Sequence, residues 1–295
     1  MTNLFYHGTS PLAAICIAMD GFRLLDNNLR RWSGGALGDG IYITADLSTA
    51  SFFAEIGARS PRKTATLYVI RTRLSAGTRI LRLDGSYDRK VIDYLGREFG
   101  RELFTPKFDR AIPSNKHLTA VELINLANYL WERGAKHGGI AAWSGHEDQG
   151  PLRRYLAKHK FDGMGCTESD IGVVVFNPSK LVHDGTFLLA GAAGPEDSVS
   201  IEREYLPELV KPDWRRLANS AAKDLLDTIK EIPRIRESLA ANEAARKPDM
   251  AKWDREQLAA YLAEVPRRQA CLRKYCEQHG VSTIDSRIAP ALQQI

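Results

Sequence analysis

The most restrictive feature of this sequence is a change of pattern near residue 195. Before it, short runs rich in β-branched and aromatic residues recur between glycine-containing breaks, which is typical of strands. After it, apolar residues recur at spacings of three and four, which is typical of amphipathic helices. Small residues between positions 191 and 198 join the two parts. The pattern predicts an α+β domain over residues 1–192 and an all-α domain over residues 193–295.

The C-terminal domain is predicted to contain four helices. Its periodic stretches are separated by prolines, and a proline does not fit a helix interior because it lacks the backbone N–H. The helices are assigned to residues 213–229, 233–246, 254–264 and 266–279. Because an apolar helix face must be buried, the tail is expected either to cap the first domain or to bind a partner.

Composition and charge limit the function classes. Of the 295 residues, 44% are hydrophobic and 26% are charged, and the net charge is +5 with a pI near 9.0. This excess of positive charge favours an anionic partner, but it is smaller than the positive charge that is typical of a dedicated nucleic-acid binder. No apolar run is long enough for a membrane span or a secretory signal. We therefore expect a cytoplasmic protein, in its own cell or delivered into a host cell, that does not bind membranes.

The cysteines predict neither disulfides nor a metal site. Cys16, Cys166, Cys271 and Cys276 are scattered along the chain, which is typical of a reducing compartment. Cys271 and Cys276 are followed by His279, but a structural zinc site needs four ligands, and no fourth is nearby. We expect no metal, and we interpret the C-terminal cysteines as thiols packed between helices.

Two short motifs combine a flexible backbone with side chains that suit a planar ligand. The first is Tyr6-His7-Gly8-Thr9-Ser10, and the second is Gly38-Asp39-Gly40-Ile41-Tyr42. Glycine lets the backbone adopt a positive φ or come close to a ligand, and Tyr42 can offer a flat ring at the start of a strand. Each motif is common by itself. Their order and spacing together favour a binding site.

With a helix of alanine, serine and aromatic residues after Tyr42, and with the run Val173–Ser179, the motifs resemble the catalytic core of ADP-ribosyltransferases. The resemblance covers roughly residues 1–190. It is strongest to the branch of diphtheria toxin and the poly(ADP-ribose) polymerases, whose catalytic triad is His-Tyr-Glu. It implies an ADP-ribosyltransferase-like fold of class α+β, with a split antiparallel β core around an NAD cleft, and NAD as co-substrate.

The resemblance also implies a role for each matching residue. His7 would hydrogen-bond the ribose next to nicotinamide, the backbone of Gly8 would pair with the carboxamide, and Thr9 would lie near the adenosine ribose. Tyr42 would stack on nicotinamide as the second member of the triad. The remaining NAD-binding candidates are Gly40 beside Tyr42, Ser51 for the carboxamide, Phe53 as a second stacking wall and Arg31 at the pyrophosphate.

The third position of the triad departs from the family pattern. Matching Val173–Phe176 with the family's strand places Gly172 where the glutamate stands. Asp170 and Glu168 lie two and four residues earlier, on one side of an extended chain, and both are candidates for the catalytic carboxylate. The other possibilities are an acid from the 147–148 loop, a weakened transferase and an NAD-binding pseudoenzyme.

The resemblance therefore implies a mono-ADP-ribosyltransferase that modifies a macromolecular acceptor, either protein or nucleic acid. Such an enzyme could be a toxin, an effector or a phage-related modifier. Chain elongation is not expected without the glutamate. The alternatives are an NAD glycohydrolase, in which water replaces the acceptor, and a non-catalytic NAD-binding module. In the last case the helical tail would bind a protein partner or inhibitor.

Overall fold

The computed structural model describes residues 4–24, 40–58, 67–82, 156–165, 172–190 and 208–293. The chain divides into two compact units, and each contains a four-stranded sheet. The first unit is drawn from Met1–Arg31, Asp46–Arg73 and Leu181–Ile295, and the second from Trp32–Ala45 and Leu74–Lys180.

Along the chain, strands and helices are interspersed up to residue 210, and the described elements after it are helices. The elements are β1 (Leu4–Thr9), α1 (Pro11–Asp20), β2 (Ile41–Ile43), α2 (Leu47–Ala58), β3 (Tyr68–Leu74), β4 (Ile80–Arg82), β5 (Gly163–Gly165), β6 (Val173–Val175), β7 (Leu181–Ala190), β8 (Glu208–Val210), α3 (Trp214–Ile229), α4 (Glu231–Ala244), α5 (Pro248–Gln278) and α6 (Ala289–Leu292).

Helix α1 begins and ends as the sequence predicts. Ser10 is the N-cap, with its hydroxyl accepting from the N–H of Ala13 at 3.4 Å, and Pro11 occupies the first turn, where no N–H is needed. Gly21 ends the helix at φ 79°, and its N–H donates to the Ile17 carbonyl at 2.9 Å. These local signals are sufficient because each acts within one helical turn.

The sheet of the first unit has the strand order β1-β3-β7-β8. In the antiparallel pair β1–β3, Gly8 lies opposite Val69 and His7 lies opposite Ile70. Directly opposite residues share a face of the sheet, and neighbouring residues point to opposite faces. Val69 packs with α2. The face with Gly8 is therefore covered by α2, and His7 points to the other face.

The sheet of the second unit has the order β2-β6-β5-β4. Strand β6 lies between β2 and β5, and all three of its valines are fully buried. Both neighbours pair with β6 in the antiparallel sense, whereas β4 and β5 are parallel. The prediction of a purely antiparallel core is therefore wrong for this pair.

The C-terminal helices differ from the prediction in where one helix ends and the next begins. The predicted helices that Pro266 was expected to separate are parts of α5, a single helix of 31 residues with Pro266 in its interior. Val265 and Gln269 on either side of this proline are buried. Packing of the flanking residues therefore maintains the helix despite the lost hydrogen bond. Pro248 lies in the first turn of α5, where the sequence rule holds.

The C-terminal helices pack against α1 within the first unit. Arg267 of α5 forms an ion pair with Asp20 at 3.0 Å, and the ammonium group of Lys274 donates to the Met19 carbonyl at 3.1 Å. Leu12 and Ile15 of α1 are buried. The tail is therefore a cap on the N-terminal helix, which is one of the two arrangements expected from the sequence. The predicted boundary near residue 192 lies outside the described residues.

Three strands were not predicted. Strand β5 precedes β6, β7 follows it, and β8 lies beyond the predicted start of the helical domain. Strand β8 pairs with β7, with Leu188 opposite Val210. Strand β3 lies between β1 and β7, and its residues Arg71 and Arg73 form ion pairs with Asp184 of β7, each at 2.9 Å.

The described residues thus form a mixed α+β structure with a C-terminal helical region, and this level of the predicted fold class is confirmed. Among the helices described, none combines the length and the apolar character that crossing a membrane would need.

Candidate functional site

The first motif lies at the end of β1 and runs directly into α1. Thr9 is the last residue of the strand and is buried. In the first turn of α1, the N–H of Leu12 donates to Oδ2 of Asp224 at 3.2 Å. The first N–H groups of a helix have no partner inside the helix. Asp224 of α3 therefore completes this turn and ties the first motif to the C-terminal helices.

His7 is oriented by packing against an aromatic ring. Its side chain is half-buried on the face of the sheet opposite to α2. The imidazole meets Phe22 edge to face, with ring centroids 5.8 Å apart and an interplanar angle of 76°. Such a contact holds the ring direction without adding a charge. This environment suits a histidine that orients a ligand.

Gly8 is the point of closest approach between β1 and α2. A Cβ atom here would overlap the backbone of Ala50 and Ala54, which are themselves fully buried. Only glycine allows the helix to lie this close to the strand. Helix packing thus accounts for Gly8, and its backbone contact with a carboxamide stays a prediction.

Helix α2 is capped by an ionised carboxylate. Oδ2 of Asp46 accepts from the N–H of Thr49 at 2.8 Å and from the Thr49 hydroxyl at 2.6 Å. The Ser48 hydroxyl also donates to Oδ2, at 2.7 Å, and the Ser48 N–H donates to Oδ1 at 3.2 Å. Burial opposes ionisation, but these hydrogen bonds hold the pKa of Asp46 below its usual value. The start of the helix that carries Ser51 and Phe53 is therefore well defined.

Ser51 and Phe53 occupy different environments on α2. Ser51 is buried at 9% exposure, whereas Phe53 is 41% exposed. Ala50 and Ala54 are fully buried on the helix face that contacts Gly8, and Phe53 lies off that face. Only small residues fit the face that contacts Gly8, so the large ring points outward.

The second motif lies in the second unit, where Gly40 leads into β2 and Tyr42 is its middle residue. A Cβ atom on Gly40 would overlap the side chain of Val174, so this glycine permits close pairing of β2 and β6. Tyr42 lies opposite Val174. Its neighbours Ile41 and Ile43 are buried on the other face, and Tyr42 itself is half-buried.

The backbone at Gly172, the position that the resemblance matches with the family's glutamate, does not suit a side chain. Its φ is 69°, in the left-handed region, and a Cβ atom would overlap the carbonyl of Ile43. Both observations account for a glycine directly before β6. Three predicted site residues lie outside the described residues, namely Arg31, Glu168 and Asp170.

The structure groups the described candidates as follows. In the first unit, Gly8 contacts the helix that carries Ser51 and Phe53, and the sheet separates the His7 side chain from that helix. In the second unit, Gly40 directly precedes β2 and Tyr42 lies within it, and β2 is an edge strand of that sheet.

Asp224 is a residue that sequence reasoning missed. It is adjacent to the first motif. Burial and the negative charge of Asp227 raise its pKa, hydrogen bonds from Leu12 and Ser10 lower it, and the net result is a pKa of about 6. A signal was present in the sequence. Position 224 falls three residues after Ala221 and seven after Leu217, so it lies on the apolar face of α3, where a carboxylate is unexpected.

We expect the stability of the protein to fall as the pH rises through about 6, because the folded pKa of Asp224 lies above the ordinary value of 3.8. The stabilisation is complete below the unfolded pKa and is lost above the folded one. Asp224→Asn keeps an oxygen for the Leu12 N–H and has no charge. It should raise the free energy of unfolding by about 3 kcal/mol at pH 7.5 and hardly at all at pH 4.

Urea unfolding of both proteins at the two pH values measures this difference. Glu256→Gln is the matched control, because the Glu256 side chain is 49% exposed and its ion pair with Lys252 is a surface pair. If Asp224→Asn changes the free energy of unfolding equally at both pH values, the raised pKa of Asp224 is contradicted.

The described residues contain no group of three or more histidine, cysteine or acidic side chains placed to hold a metal ion. Comparison of the chain with protein-family models, with curated proteins and with solved structures gives no match.

Proposed function

We propose that the protein is a mono-ADP-ribosyltransferase, which cleaves NAD between nicotinamide and ribose and transfers ADP-ribose to a protein or nucleic acid. The observation that carries the proposal is the placement of the two motifs. One lies on β1 and the other on β2, and these are edge strands of two separate four-stranded sheets. Edge strands present backbone N–H and C=O groups that the sheet itself does not pair. Such groups suit the backbone recognition of a carboxamide that the resemblance implies for Gly8.

The reaction requires little acid–base chemistry. As the C–N bond to nicotinamide breaks, the ring leaves as a neutral pyridine with the electron pair, and positive charge develops on the ribose. A nucleophilic atom of the acceptor forms the new bond to the ribose carbon and loses its proton. By the resemblance, Tyr42 would hold the leaving ring and His7 would orient the ribose. Phe53 is not included here, because the sheet separates its helix from the His7 side chain. Asp170 or Glu168 would stabilise the positive charge.

Labelled NAD and a cell lysate test this proposal. The wild-type protein should transfer the label to macromolecules, and His7→Ala should abolish transfer because the ribose is no longer oriented. Digestion with nuclease or with protease then shows which class of acceptor carries the label. His183→Ala is the matched control, since His183 is another half-buried histidine of the same sheet, paired with Thr186 at 3.2 Å. A fully active His7→Ala variant would exclude the proposed site.

Tyr42→Ala should weaken NAD binding about tenfold, because the loss of an aromatic contact costs about 0.5–1.5 kcal/mol beyond the burial lost with it. Calorimetric titration with NAD measures the affinity. Tyr42→Phe keeps the ring and should bind as the wild type does. Thermal unfolding of both variants checks that β2 remains paired with β6. Unchanged affinity in a folded Tyr42→Ala protein would remove Tyr42 from the site.

A further inference from the structure

Three aromatic rings pack together where the start of α3 meets the end of α5. The indole of Trp214 stacks on the imidazole of His279, with ring centroids 4.3 Å apart and an interplanar angle of 18°. The Tyr275 ring lies 4.5 Å from that of His279 and 6.3 Å from that of Trp214. Tyr275 is only 2% exposed, so the stack is anchored in the interior of the first unit.

One face of the Trp214 indole is left open by this stack. His279 covers the other face, and Tyr275 lies closer to His279 than to Trp214, so it stands beside the imidazole on that same side. Trp214 is nevertheless 40% exposed. Its exposed surface therefore belongs mainly to the face and the edge of the indole that point away from His279.

The backbone on both sides of the stack is held by hydrogen bonds. Trp214 is the first residue of α3, and the carboxylate of Asp213, the N-cap, accepts from the N–H of Arg215 at 2.9 Å. His279 directly follows α5, and its N–H donates to the Tyr275 carbonyl at 3.1 Å. Because the indole is already ordered, a ligand that stacks on it has little ordering cost to overcome.

Basic side chains flank the open ring along the chain. Lys211, Arg215 and Arg216 are exposed, and Lys211 and Arg215 form no ion pair with the residues that the structure describes. The nearest acids along the chain are Asp213 beside Trp214 and Glu277 before His279. The Asp213 carboxylate is already bonded to the backbone of α3. Positive charge is therefore in excess around the indole.

We propose that this surface, formed by Trp214, Lys211, Arg215 and Arg216 and called the Trp214 surface below, binds single-stranded nucleic acid. An unpaired base stacks on the open face of the indole, and the basic side chains contact the neighbouring phosphates. Every base has a flat π face, so an aromatic platform with flanking cations binds single strands with little dependence on sequence. Bases inside a duplex are already stacked on one another and do not reach the indole. Stacking also supplies affinity that the net charge of +5 does not.

The test titrates a fluorescein-labelled oligothymidylate with the full-length protein and follows the fluorescence anisotropy. Binding at the Trp214 surface does not require the proposed transferase activity, and it is measured without NAD. We expect the single strand to bind more tightly than its duplex with oligodeoxyadenylate. Trp214→Ala should weaken binding of the single strand about tenfold or more, the loss typical of one stacked base, and Trp214→Tyr should retain most of the affinity. Arg215→Gln should reduce the slope of log affinity against log salt concentration by about 0.7, the value for one phosphate of a single strand.

Trp253→Ala is the matched control for the loss of an exposed indole. Trp253 of α5 is 50% exposed and, like Trp214, has basic neighbours in the chain. These neighbours are paired with acids, Lys252 with Glu256 at 3.9 Å and Arg255 with Glu243 at 3.1 Å. Because the positive charge is balanced there, Trp253→Ala should bind the oligonucleotide as the wild type does.

Three results would overturn the proposal: no binding of the oligonucleotide at low salt, unchanged affinity in a folded Trp214→Ala protein, and binding of polyglutamate that Trp214→Ala weakens to the same extent. The last result would indicate an acidic protein partner instead. Cross-linking of the wild-type protein decides the matter even if the variant does not fold. On irradiation, an oligonucleotide that contains bromodeoxyuridine should attach to the peptide with Trp214, and attachment to other peptides alone would contradict the proposal.

Discussion

Removal of residues 196–295 should leave a fragment that does not fold. Helix α3 buries Leu217 and Leu225 in the first unit, and α1 buries Leu12 and Ile15. The deletion also removes Asp224, which supplies the partner of the Leu12 N–H. In the fragment, exposure of Leu12 and Ile15 costs about 1.5–3 kcal/mol for each one, which together is comparable with the total stability of a typical domain. Far-ultraviolet circular dichroism and soluble yield measure the outcome.

Single substitutions provide the control for this deletion. Leu225→Ala, at a position with no exposed surface, should lower the free energy of unfolding by about 2–5 kcal/mol. Leu262→Ala on α5, where the leucine is 40% exposed, should change it by less than about 0.5 kcal/mol. A soluble, folded fragment that hydrolyses NAD would instead favour an independent recognition domain, which is the other arrangement that the sequence left open.

Gly172→Ala should destabilise the second unit by about 3 kcal/mol or more. A left-handed backbone costs a non-glycine residue about 1–2 kcal/mol, and the new Cβ atom would also overlap the Ile43 carbonyl, which is held by the β2–β6 pairing. Gly172→Glu should be at least as unstable, so it should not restore the acid of the triad. Urea unfolding and NAD transfer measure the two effects.

Gly77→Ala separates the two contributions. Gly77 has a φ of 77°, but a Cβ atom there would meet nothing within 4 Å. Its substitution should therefore cost only the backbone term, about 1–2 kcal/mol. If Gly77→Ala and Gly172→Ala lower the free energy of unfolding by the same amount, the overlap with Ile43 is relieved by a small shift of the strand.

Elements specified by neighbouring residues were predicted correctly. Helix α1 follows from Ser10, Pro11 and Gly21, and β2 follows from the apolar run after Gly40, because caps, glycines and short periodicities act over a few residues. Strands β7 and β8 were missed because their main evidence is their pairing, which joins residues far apart in the chain. The uninterrupted α5 was missed because tertiary packing outweighs the local cost of Pro266.

The candidate site, too, has features that the sequence predicts and features that depend on the tertiary structure. Its residue types and their order along the chain are properties of the sequence, and they alone led to the expectation of an NAD-cleaving enzyme. Sequence alone could not show that Gly8 is needed for the approach of α2. It could not show that Phe53 points outward, because helical periodicity does not say which residues fit against a glycine.

The sequence by itself determined the local elements, the two motifs and the helical character of the tail. Only the tertiary structure decided that the tail caps α1, that Asp224 is a carboxyl beside the first motif, and that the Cys271 thiol donates to Asp20. The reason is physical: caps and periodicities depend on residues within a turn or two. Burial, pKa values and thiol contacts depend instead on which surfaces the folded chain brings together.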